Sequence, residues 1–199
     1  MEHYFSENPN IKSKRKNILF TFNDKNCEFI TDNGVFSKDH VDEGTQILIK
    51  NTLKNIDIDN LNVLDLGCGY GVVGIILKTI KKNINISFSD INNRSLELTV
   101  ENLNLNNITD YKIYKSDLFE NIKENFDIII SNPPIRTGKE NIFKLYEQSF
   151  EHLNDNGIFL CVIMTKHGAK STQKKLEQIY SHVICLSIEN GFRVYMAKK

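Results

Sequence analysis

The sequence predicts an α/β, doubly wound protein: a mainly parallel seven-stranded sheet with helices on both faces, an antiparallel last strand and a short N-terminal β-hairpin. Three observations predict it. From Asn62 onward, short runs rich in Val, Ile and Phe alternate with longer stretches of helical periodicity, the pattern of successive βαβ units. The first of these runs passes directly into a glycine-rich turn, NVLDLGCGYGVVG over residues 62–74. The last two are joined only by Glu189-Asn190-Gly191, too few residues for a crossover helix, so the final strand must return antiparallel to its neighbour.

The elements follow in order. Asn17 to Phe22 and Cys27 to Ile30 are β-prone runs either side of Asn23-Asp24-Lys25-Asn26, a hairpin signal. Ahead of them, Lys12-Ser13-Lys14-Arg15-Lys16 is the densest basic cluster in the chain and suits an RNA contact and a solvated arm equally. Asp32-Asn33-Gly34 is a turn, and a helix follows from about Val41 to Leu53. Strand 63–66 and helix 72–80 lead to strand 84–89, helix 94–105 and strands 111–115 and 126–131. Helix 140–153, strand 157–164, helix 170–180 and strands 182–188 and 192–197 complete the sheet. Residues 1–33 read as an arm and hairpin belonging to the same domain as the main body, 34–199.

A chain of 199 residues can bury one substantial core. Its 25 basic and 25 acidic residues cancel, so no global field steers it to nucleic acid and any such binding must rest on local patches. Cys27, Cys68, Cys161 and Cys185 are scattered without a CxxC pair, which argues against a zinc site or a disulfide framework and for reduced thiols. The polar start MEHYFSENPN has no apolar signal segment, and no apolar run reaches membrane-spanning length. The expectation is a cytoplasmic protein without a membrane partner; the oligomeric state is not legible.

The glycine turn is the first chemical signal. Glycines tolerate positive φ and let backbone approach a ligand, and a helix start offers free N–H groups. Gly69-x-Gly71-x-x-Gly74 with Asp90 downstream satisfies the dinucleotide spacing, so an NAD-binding oxidoreductase is one alternative. Asp65, however, sits just before Gly67, where a pyrophosphate would meet its negative charge. S-adenosylmethionine has no phosphate and carries an ammonium group, and DLGCGYG, with Cys68 as a small residue inside the turn, resembles the first motif of class I S-adenosylmethionine-dependent methyltransferases.

Ligands of open parallel sheets lie beyond the C-terminal strand ends, where every candidate here falls. Asp65 closes the first strand of the sheet, Asp90 the second, Ser116-Asp117 follows the third and Asn132-Pro133-Pro134-Ile135 the fourth. Asp90 can accept from both ribose hydroxyls, Asp117 from an adenine amino group, and Asp65 can face the methionine ammonium. Pro133 and Pro134 stiffen the loop and remove competing N–H donors. The side-chain oxygen of Asn132 and the backbone oxygen of Pro133 can then both accept from one substrate amino group, freeing its lone pair for in-line displacement. Asn132 is neutral, so it orients rather than deprotonates. Asn-Pro-Pro behind FDIIIS resembles motif IV of enzymes that methylate exocyclic base nitrogens or glutamine amides.

Taken together, GVFSKDHVDEGTQILI (34–49), VLDLGCGYGVVG (63–74), FDIIISNPPI (126–135) and NGFRVYMAKK (190–199) resemble the ribosomal RNA small subunit methyltransferase C family. The resemblance implies a Rossmann-like class I methyltransferase fold, S-adenosyl-L-methionine as cofactor, and methylation of a guanine N2 in small-subunit ribosomal RNA, free or in the assembled small ribosomal subunit. It implies that Gly44 and Thr45 lie near the methionine end of the cofactor and Phe36 near the substrate mouth. Two departures stand out. Full-length members carry a degenerate methyltransferase-like domain ahead of the catalytic one, for which this chain has no room. Many Asn-Pro-Pro enzymes place an aromatic after the prolines where this chain has Ile135, so stacking on the base falls to Phe36 or Phe192, with Arg193 a candidate phosphate contact. Protein glutamine methylation and a catalytically silent RNA-binding fold are the remaining alternatives.

Overall fold

The computed structural model describes Glu7 and residues 11–199; residues 1–6 and 8–10, on which the reading of the chain start mostly rests, lie outside the described residues. The first elements are the antiparallel strands β1 (Lys16–Phe22) and β2 (Lys25–Thr31). Their turn has two residues, not the four expected, because Asn23 and Asp24 both adopt positive φ, 46° and 60°, and let Lys25 pair directly with Phe22. Helix α1 (Glu43–Asn55) begins two residues later than the periodicity suggests, since Asp42 accepts from Thr45 N at 3.0 Å and caps it.

The sheet is then laid down as β3 (Asn62–Leu66), α2 (Val72–Ile80), β4 (Asn85–Asp90), α3 (Asn93–Leu105), β5 (Tyr111–Lys115), β6 (Phe126–Ser131), α4 (Lys139–Glu151), β7 (Leu153–Met164), α5 (Ala169–Ile179), β8 (His182–Glu189) and β9 (Phe192–Lys198). Helix α4 stops two residues short of the expected end and β7 starts four earlier. Leu153, fully buried, pairs with Phe126 while Ile158 pairs with Ile128, so the polar residues 154–157 bulge out of the ladder.

Strand order is β5-β4-β3-β6-β7-β9-β8, parallel except for β9, which runs antiparallel between β7 and β8. Asn190 and Gly191, with φ of 49° and 81°, make the tight turn that allows it. The chain winds outward in both directions from β3 and β6. The switch point lies between their C-terminal ends, where Ser131 Oγ donates to Leu66 O at 2.9 Å.

The apolar runs of the inner strands are buried on both faces, whereas the edge strands β5 and β8 are only partly covered, and the period-2 alternation divides the core. Val63, Ile128, Ile130, Leu160, Val162 and Val194 face α1, α2 and the hairpin. Leu64, Leu66, Ile129, Phe159, Cys161 and Tyr195 face α4 and α5. The hairpin enters the first layer through Cys27 and Phe29, 1% and 0% exposed. Its free edge is closed by two asparagines, Asn102 of α3 and Asn106 at its C-terminal cap: the Asn102 amide accepts from Ile30 N and donates to Ile30 O and Tyr70 O, and the Asn106 amide bonds Glu28 N and O in the same manner.

Candidate active site

The glycine turn between β3 and α2 is built so that its backbone faces inward. Gly67 and Gly69 hold φ of 72° and 57°, and a Cβ at either would point into open space, so conformation is what demands glycine there. Gly67 N and Cys68 N both donate to Ser89 O at the end of β4, Gly69 N donates to Asp90 Oδ2 at 2.8 Å, and Gly71 N donates to Cys68 O. Gly74 N donates to Asp65 Oδ2 at 2.9 Å. Gly74 itself permits a close approach, since a Cβ there would come within 2.2 Å of the Phe88 ring. The expected free amides are thus largely committed inside the turn.

What the turn presents is acceptors. Asp65 is 2% exposed, and burial pushes its carboxyl up to about 7, with the Asp90 charge adding to the rise and the Gly74 N–H opposing it. Burial likewise pushes Asp90 up to about 6 against the backbone donors of Asn92, Gly69 and Ile91. Helix α3 is capped by Asn92, so Asp90 is not its cap. Ser89 Oγ is buried without a hydrogen-bond partner among the described residues. Burial, with Asp90 and Asp65 nearby, raises the Cys68 thiol well above its ordinary value, which makes it an inert wall residue.

These groups line one cavity of about 850 Å³ along the C-terminal strand ends. It brings together Phe36, Thr45, Asp65, Gly67, Cys68, Gly69, Asp90, Ser116, Asp117, Asn132, Pro133, Pro134, Ile135 and Phe192. Three expected site residues are elsewhere. Gly44 packs beneath the Phe192 ring, 2.8 Å from where its Cβ would be, and Gly71 caps α2 in the left-handed conformation. Arg193 points to the other face of the sheet from Phe192, towards Tyr195. Asp117 is exposed at one end of the cavity, while Phe36 is 39% exposed at its mouth.

At the other end the Asn132 amide is held by two acceptors. Its Nδ2 donates to Thr45 Oγ1 at 2.9 Å and to Asp42 Oδ2 at 3.1 Å. A carboxylate can only accept, so the amide nitrogen must face α1 and Oδ1 is turned away from it. Asp42 is the residue that the motif reading missed. Its signal was present as an Asp three positions ahead of Thr45 at the start of an apolar helical run. Tyr70 and Ser37, joined by a 3.3 Å hydrogen bond from the phenol to the Ser37 carbonyl, also line the wall; both lie within motifs legible in the sequence, which assigned neither a role of its own.

The model of the methyltransferase small domain family matches residues 26–196, from the second hairpin strand to the last strand. The chain belongs to that family. An uncharacterized relative, YbxB of Bacillus subtilis (strain 168), is 40% identical over 200 residues, covering 100% of this chain and 98% of that protein. Ribosomal RNA small subunit methyltransferase C of Haemophilus influenzae (strain 86-028NP) is 38% identical over 172 residues, covering 83% of this chain and 49% of that one. The chain therefore spans about half the length of such relatives. Among solved structures, the T. thermophilus 16S rRNA N2 G1207 methyltransferase (RsmC), in complex with AdoMet and guanosine, is similar in fold: TM-score 0.85, 22% identity, 96% of this chain and 52% of that one.

As a small-domain methyltransferase the protein uses S-adenosylmethionine, and the cavity fits it. A pyrophosphate would face buried carboxylates over amides already bonded within the turn. An ammonium and two ribose hydroxyls would instead meet acceptors: Asp65, Asp90 and the unpartnered Ser89 hydroxyl. Among the described residues no cluster of His, Cys, Asp or Glu has metal-binding geometry, and no helix is long and apolar enough to cross a membrane.

Proposed function

We propose that the protein methylates the exocyclic N2 of a guanine in small-subunit ribosomal RNA, free or in the assembled small subunit, in the cytoplasm. The observation that carries the reading is the anchored Asn132 amide: both its protons are engaged by Asp42 and Thr45, so Oδ1 is the group it offers to a substrate. An exocyclic amino group is a poor nucleophile because its lone pair is conjugated. Oδ1 of Asn132 and the carbonyl oxygen of Pro133 would accept its protons and become better partners as the nitrogen turns positive. S-adenosylmethionine supplies an electrophilic methyl group when bound. Asp65, Asp90, Ser116 and Asp117 would hold it, while Phe36, Phe192, Pro134 and Ile135 give the mouth the apolar surface against which a flipped base can lie. The 16S rRNA N2 G1207 activity of the structurally similar T. thermophilus enzyme, and the ribosomal RNA activity of the sequence relatives, support guanine N2 over a glutamine amide.

The test is transfer of tritium from labelled S-adenosylmethionine to unmethylated small-subunit ribosomal RNA, assembled small subunits and peptide-release factors. Label recovered as N2-methylguanine is the expected result. Label on protein alone would overturn the assignment.

A further inference from the structure

The charge lining the cavity is divided in two. Every wall residue contributed by positions 36–118 is neutral or acidic, with Asp42, Asp65, Asp90 and Asp117 among them. Between Asn132 and His167 the described wall residues include no carboxylate and two basic side chains, Lys144 and His167. Outward from these two the cations continue. Lys166, Lys170 and Lys174 are exposed, and Lys170 and Lys174 lie four residues apart on one face of α5, about 6 Å along its axis. None of the four lysines is in an ion pair among the described residues, whereas Lys175 on the neighbouring face is bound to Glu147. The basic cluster that dominates the sequence is differently disposed. Arg15 forms a two-pronged pair with Glu101, Lys16 pairs with Asp39, and Ser13 and the Lys14 amide are tied to Asp32, so this segment straps the hairpin to the body.

We propose that Lys144, Lys166, Lys170 and Lys174, with His167, bind the phosphates flanking the target nucleotide, so that RNA enters over the N-terminal ends of α4 and α5 and not over the hairpin. The proposal rests on the assignment of an RNA substrate and says where that RNA lies. In a chain of zero net charge, a one-sided strip of unpaired cations beside Asn-Pro-Pro is what a polyanion needs, and a neutral glutamine loop does not. Each phosphate contact releases counterions, so the strip sets the salt dependence of binding.

The experiment measures affinity for an unmethylated small-subunit ribosomal RNA transcript between 50 and 200 mM salt. It compares the parent, the triple variant Lys144→Gln/Lys166→Gln/Lys170→Gln, and the control Lys12→Gln/Lys14→Gln. Three contacts at a slope of about 0.7–0.9 each predict that parental affinity falls roughly 20- to 40-fold more across this range than that of the triple variant. The control should keep the parental slope, and both variants should bind S-adenosylmethionine with parental affinity. A parental slope in a triple variant that binds the cofactor normally would overturn the strip and leave the guanine assignment standing, as would equal loss of slope in the control. Methyl transfer to protein alone would overturn the guanine assignment and the strip with it.

Discussion

Replacing Asp42 by alanine should separate two jobs that one oxygen performs. Asp42 Oδ2 accepts from Thr45 N at 3.0 Å, from the Thr45 hydroxyl at 3.4 Å and from Asn132 Nδ2 at 3.1 Å. Losing the cap costs about 1 kcal/mol, or roughly 2–4 °C of melting temperature for a chain of this size. Losing the charged partner of the amide is a different cost. Only Thr45 Oγ1 would still hold Asn132, and the amide could turn its NH2 towards the substrate. A hydrogen bond to a charged group contributes about 1.5–3 kcal/mol, so turnover should fall roughly 10- to 150-fold. Asp42→Ser separates the effects: serine is a good cap but one bond shorter, so the melting temperature should recover while turnover stays low. The assay is tritium transfer to saturating ribosomal RNA, with cofactor affinity measured by calorimetry as the control. Parental turnover in a folded Asp42→Ala protein would refute the idea that this carboxylate orients Asn132.

Three further outcomes are expected. Asn132→Ala should lower turnover by two or more orders of magnitude, about 2–4 kcal/mol of barrier, with little change in cofactor affinity; a parental rate would reduce Asn-Pro-Pro to a turn. Asp65 and Asp90 have folded values of about 7 and about 6, above the ordinary carboxylate range, so folding favours their protonated forms. Their contribution to stability of the free protein is complete below about pH 4 and is lost as pH rises through those values. Cofactor binding has the opposite sign, because hydroxyls and an ammonium favour ionised acceptors. The rise in melting temperature caused by S-adenosylmethionine should therefore be larger at pH 8 than at pH 5.5, and calorimetry finding no pH dependence would contradict these roles. Gly74→Ala places a Cβ 2.2 Å from the fully buried Phe88 ring. Overpacking of about 2–3 kcal/mol should outweigh the ~1 kcal/mol helix gain of alanine and lower the melting temperature by several degrees, as a thermal melt would report.

Sequence alone determined the sheet and, to within a residue, the C-terminal ends of its strands. Apolar runs with period-2 alternation have only one way to be buried on both faces of a parallel sheet, and the three-residue Glu189-Asn190-Gly191 link permits only an antiparallel return. The chemical residues at strand ends were legible for the same reason: chain order fixes which side of the sheet receives them, and Asp65, Asp90, Asp117 and Asn132 all reach one cavity. Contacts between elements distant in sequence were not legible. Asp42 and Asn132 are 90 positions apart, and nothing in either segment specifies that the cap of α1 will also hold the amide behind β6. The densest run of basic residues suited an RNA contact and a solvated arm equally until tertiary structure supplied Glu101 and Asp39 as partners for Arg15 and Lys16, while Lys144 of α4 and His167 after β7 both line the cavity. Periodicity and turn chemistry act over a few residues and survive in the linear text, whereas a charge's partner and an amide's orientation depend on packing that only the folded chain creates.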